Sequence, residues 1–99
     1  MTYQKNQILN RLQEERDFLH RSGIRKIGLF GSAARGDDLE DSDLDILIEM
    51  EKTSFDGYMD VKFRLEDIFR RRVDLVLSHC LKPRLRQRIL AETVYAQGF

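Results

Sequence analysis

One cysteine, Cys80, is too few for an internal disulfide, and neither it nor His20 or His79 stands at zinc-ligand spacing from another such residue. The disulfide framework of a small secreted domain is thereby excluded, and the composition suits a reducing compartment. Acidic and basic side chains balance at 17 each, so the chain lacks the overall positive field that steers a protein onto nucleic acid. No run approaches the ~18 apolar residues that span a bilayer, and the polar stretch from Met1 to Glu15 has no apolar signal core. Repeats, linker-like stretches and low-complexity tracts are missing as well. A cytoplasmic protein with no direct nucleic-acid binding is expected. The 99 residues, 41% of them hydrophobic, suffice for one domain over 1–99 that buries something over ~60% of its unfolded surface.

Apolar periodicity divides that domain into elements. Ile8, Leu12 and Leu19 recur at near-helical spacing, which predicts an amphipathic helix from Gln4 to Arg21, stopped by Ser22-Gly23. Ile24 to Phe30 reads as a first strand. Ser32 to Arg35 makes about one helical turn, capped by Ser32 and closed by Gly36. Asp43 to Met50 is a second strand. Thr53-Ser54 caps a helix over Phe55 to Arg71, on which Tyr58, Val61, Leu65 and Ile68 share a face. Val73 to Leu77 is a short third strand, and Pro83 opens a last helix with Leu85, Ile89 and Thr93 on one side. The prediction is an α/β (α+β) domain of order α-β-α(short)-β-α-β-α around a small, mixed, three-stranded sheet.

The stretch from Gly31 to Asp45 carries the chemistry. On an extended strand Asp43 and Asp45 share one face while Leu44 points to the other, and their Cα atoms stand roughly 6 to 7 Å apart. The tight link between the first two strands makes them antiparallel, whereas the helical crossover sets the third parallel to the second. Gly31-Ser32, Asp43, Asp45 and Asp74 then meet at one sheet edge. Two like charges about 5 Å apart repel by roughly 3 kcal/mol at an effective dielectric near 20, and a bound cation removes that cost. Hard oxygen ligands select Mg²⁺ or Mn²⁺, and two such ions clamp the attacking and leaving oxygens of a displacement at phosphorus. Asp43 and Asp45 would bridge both metals, with Asp74 completing one of them. Gly31, Ser32 and the backbone beyond would cradle nucleotide phosphates. Arg35 either adds charge to the same phosphates or locks the turn through Asp37 or Asp38.

Gly31-Ser32-Ala33-Ala34-Arg35-Gly36, an acidic spacer and Ser42-Asp43-Leu44-Asp45 together resemble the signature of the polymerase-beta-like nucleotidyltransferase superfamily. Asp74, in Val73-Asp74-Leu75-Val76, stands where that family carries its third carboxylate. The resemblance covers essentially the whole chain, and no motif position is altered. The length, and the ending from Leu81 to Tyr95, look like the minimal nucleotidyltransferase (MNT) domains of bacteria and archaea. Those are commonly the antitoxin half of a pair whose other half is an all-helical HEPN ribonuclease toxin. The resemblance implies ATP as donor, Mg²⁺ as cofactor, and AMP addition to a tyrosine of that partner.

Two other functions compete with AMP transfer: neutralisation of the toxin by stoichiometric masking, and transfer to a small molecule or an RNA end. The basic groups Arg70 to Arg72 and Arg84, Arg86 and Arg88 read first as helix-end and surface charges, with contact to RNA or a partner as the lesser alternative. His20, His79 and Cys80 read as structural. Tyr58, Phe63 and Phe69 are core or interface candidates.

Overall fold

Alternation along one seven-residue strand decides the architecture. Leu44, Ile46, Ile48 and Met50 of β2 (Leu44–Met50) turn to one face, and Asp45, Leu47 and Glu49 to the other. The structure, a computed structural model, describes residues 4–36 and 43–99. The expected acidic turn from Asp37 to Asp41, with Ser42, lies outside the described residues.

β1 (Ile24–Leu29) runs antiparallel to β2, with Ile27 opposite Ile48 and Leu29 opposite Ile46. β3 (Val73–Leu77) runs parallel to β2 on its far side, and α4 (Phe55–Phe69) makes the crossover between them. The connection that needs a helix is the parallel one. A fourth strand, β4 (Val94–Tyr95), pairs antiparallel with β1, so the sheet order is β3-β2-β1-β4 and the three-stranded expectation is corrected to four. Two residues are too few to show an alternation. Gly28 is what admits β4, because a Cβ there would lie 2.8 Å from the carbonyl oxygen of Val94.

One face of the sheet packs on α1 (Lys5–Glu14), α2 (Arg16–Arg21) and α4, and there Ile8, Leu12, Leu19, Val61 and Leu65 are fully buried. Burying a side chain of this kind contributes about 1.5–3 kcal/mol. The other face is covered by α5 (Pro83–Glu92), whose Ile89 and Leu85 meet Phe30, Leu47 and Val76. Ser54 caps α4 by accepting the amide proton of Gly57 at 3.1 Å, and Pro83 opens α5, both as expected.

Several boundaries differ from expectation, β1 ending at Leu29 and β2 starting at Leu44 among them. The first helix divides at Glu15, whose backbone leaves the helical region at φ −91°, ψ 11°. Glu15 is 92% removed from solvent, being 8% exposed, and accepts hydrogen bonds from Arg64 Nε at 2.6 Å and Arg11 Nη1 at 3.2 Å. The Arg64 contact comes from α4 and is invisible to local periodicity. α4 stops at Phe69 rather than Arg71, because Arg70 turns left-handed at φ 55° and the Glu66 carboxylate accepts the Val73 amide proton at 2.9 Å. Thr93 lies just past α5, where its hydroxyl donates to the Ile89 carbonyl at 2.6 Å. Of the aromatic candidates, Phe69 is in the core, Tyr58 is half-buried and donates to the Leu75 carbonyl, and Phe63 is exposed.

The hydrogen bond from Arg64, opposed by burial and helped by the Arg64 and Arg11 charges, holds the Glu15 carboxyl below the ordinary carboxylate range. A lowered folded-state value stabilises above the unfolded value and is lost as pH falls through the folded one. Glu15→Gln is therefore expected to lower the melting temperature at neutral pH, with the gap to wild type closing as pH falls through the acidic range. Thermal melts across that range check it.

Candidate active site

A single row of backbone contacts assembles the site. The Phe30 amide donates to the Asp45 carbonyl at 3.2 Å, and Asp45 is the register partner of Asp74 across the parallel pair. The Leu44 amide donates to the Arg72 carbonyl at 2.9 Å, which brings the start of β2 beside the approach to β3. The end of β1, Asp45 and Asp74 thus lie in line across three strands, at the spacing of about 4.8 Å between neighbours. Asp43 precedes Asp45 by two residues and is exposed, as is Asp74, while Asp45 is half-buried.

The charges of Asp74 and Asp43 act on Asp45. Burial first, and then the negative charges of Asp74 and Asp43, raise the Asp45 carboxyl from 3.8 to about 6; Arg35 opposes the shift and Glu92 adds to it. Among the described residues, no three His, Cys, Asp or Glu side chains gather tightly enough to ligate one ion as they stand. The donor set itself, hard carboxylate oxygens whose neighbouring charges make ionisation of Asp45 costly, fits a divalent cation such as Mg²⁺ or Mn²⁺.

Gly31 opens α3 (Gly31–Arg35) at φ +69°, and a methyl group on it would overlap the Asp45 carboxylate. Only glycine lets the backbone come that close. Ser32 lies inside the first turn and does not cap it: Phe30 is the N-cap residue, with no side-chain cap bond, which corrects the expected role. Gly36 closes α3 in the left-handed region at φ +81°, as expected. Arg35 reaches Glu92 at 3.5 Å; the alternative lock through Asp37 or Asp38 lies outside the described residues.

Glu92 is the residue that sequence reasoning missed. Its carboxylate accepts the Gly31 amide proton at 3.0 Å from 61 residues away. The available signal was an acid in the last turn of a helix otherwise carrying Arg84, Arg86 and Arg88. An apolar groove of about 490 Å³ on the outer edge of β3, beside Phe55, Tyr58 and Leu77, includes none of the three aspartates. The chemistry-bearing groups sit on an open rim instead.

A family model for polymerase beta and nucleotidyltransferases matches residues 6–97. The chain belongs to that nucleotidyltransferase family. Protein adenylyltransferase MntA of Thermococcus cleftensis is 39% identical over 82 residues, covering 82% of this chain and 83% of the relative. A solved chain regarded as a minimal nucleotidyltransferase is 36% identical, with TM-score 0.72 over 87% of this chain and 93% of that one. A chain in a complex of MNT antitoxin with the tri-AMPylated HEPN toxin of Shewanella oneidensis is similar at TM-score 0.67, 18% identity, and 96% and 73% coverage. A toxin–antitoxin structure with AMP-PNP is similar at TM-score 0.69, 22% identity, and 88% and 73% coverage. At those identities the last two show the fold.

Two measurements follow for this nucleotidyltransferase. Gly31→Ala forces a side chain into a positive-φ position and against Asp45, so it is expected to cost about 1–3 kcal/mol of stability, read by urea unfolding. Because the folded-state value of Asp45 is raised from 3.8 to about 6, the stability it confers is present below the lower value and lost as pH rises through the higher. Asp45→Asn is expected to melt above wild type at pH 8 without divalent cations and to lose that pH slope.

Proposed function

We propose that the protein transfers AMP from ATP to a tyrosine hydroxyl of a helical HEPN ribonuclease toxin, and so acts as its antitoxin. The observation that carries this reading is the alignment of Asp45 with Asp74 across parallel strands, with Asp43 two residues upstream and the Gly31 turn packed on the Asp45 carboxylate. The 39% identity to a protein adenylyltransferase supports the protein acceptor.

Asp43 and Asp45 would hold Mg²⁺, or Mn²⁺, as a pair of ions, with Asp74 completing the ligand set. Bound there, the metal neutralises phosphate charge and lowers the barrier to displacement at phosphorus. Ser32 and the amides that follow Gly31 hold the terminal phosphates, and Arg35, exposed at the end of α3, adds positive charge beside them. The acceptor oxygen forms a bond to the α-phosphorus as the bond to the bridging oxygen breaks. Pyrophosphate leaves with the electron pair, and the hydroxyl proton passes to the Asp74 carboxylate. The chain's task is therefore to position and to neutralise.

Label from α-labelled ATP is expected on the partner encoded next to this gene, and only with divalent cation. Asp43→Asn in a folded protein is expected to reduce the rate by at least about 100-fold, on the scale of losing a transition-state-stabilising group. Absence of transfer, or equal transfer by the variant, overturns the reading. Protection by a folded Asp43→Asn/Asp45→Asn double variant would instead favour masking by complex formation.

A further inference from the structure

Glu92 stands at the last residue of α5, where a carboxylate opposes the negative end of the helix macrodipole. It also adds charge beside Asp45, which two other acids already crowd. Neither local helix stability nor charge balance accounts for an acid at this position. What it gains, among the described residues, is the Gly31 amide proton at 3.0 Å and Arg35 Nη1 at 3.5 Å. Both partners belong to the turn packed on Asp45. Its carboxylate, 27% exposed, is shielded enough for such a hydrogen bond to hold its geometry.

We infer that Glu92 is a positioning residue of the nucleotide site: its carboxylate fixes the Gly31 backbone and the Arg35 guanidinium, and through them the donors presented to the phosphates. This assignment rests on the transfer reading above. It refines that reading at one atom. With its amide proton given to Glu92, Gly31 supplies close approach rather than a phosphate contact, and the amides beyond it with the Ser32 hydroxyl are left to bind the nucleotide.

The test is steady-state transfer from ATP with Mg²⁺ to the partner protein, beside the melting shift that ATP and Mg²⁺ produce on the chain alone. Glu92→Ala, with its spectrum and cooperative melt retained, is expected to raise KM for ATP about tenfold, as for one lost charge-assisted hydrogen bond, while kcat stays within about threefold. Glu92→Gln keeps an acceptor for the Gly31 amide but loses the charge that pairs with Arg35, and is expected to recover only part of the loss, with KM about threefold above wild type. If the alanine variant does not fold, Glu92→Asp, which keeps the charge but is one methylene too short, carries the same expectation. An unchanged KM, a fall confined to kcat, or a glutamine variant as impaired as alanine overturns the assignment. Wild type that binds ATP but transfers nothing overturns the transfer reading alone, and Glu92 is then judged by whether Glu92→Ala loses the melting shift. Wild type that does neither overturns both.

Discussion

Repulsion among Asp43, Asp45 and Asp74 is the constraint on which the site depends. The parallel register sets Asp45 against Asp74, and Asp43 lies one residue before β2 begins. That register cannot relax without undoing the sheet, whose central strands carry much of the core. The acids are consequently held together by apolar burial on the opposite face: Leu44, Ile46 and Ile48 anchor the strand that displays them. Fold stability and site chemistry are drawn from alternate positions of the same segment.

This division of the sheet also explains how so short a chain accommodates a site. The helices α1, α2 and α4 close one face and leave the other to α5, which covers Leu47 and Val76 and ends at Glu92 beside Gly31. Among the described residues the resulting rim is open, with two of its three acids exposed.

Much of this was legible in the residues themselves. The place of Asp45 on its strand follows from a period of two, and its register with Asp74 follows from the handedness and length of a helical crossover, whereas Asp43, expected to open the strand, precedes it. Gly31 announces itself by standing between an apolar run and a small-residue turn. What stayed hidden depends on contacts far apart in the chain. The break at Glu15 coincides with an arginine 49 residues on, and Glu92 reaches back 61 residues to an amide. β4 has only two residues and acquires its identity from an edge that Gly28 leaves open. The role expected of Ser32 failed because Phe30 already occupied the capping position.

The strict in-and-out order of β2 has one more effect, on folding rather than on chemistry. A slip by a single position would carry Asp45 and Glu49 into the hydrocarbon layer under α1 and α4 and turn Leu44, Ile46 and Ile48 away from it. Such mispairing is penalised twice, by stranded charge and by lost apolar contact. The acids that make the native rim costly thereby help to make every neighbouring alignment costlier still.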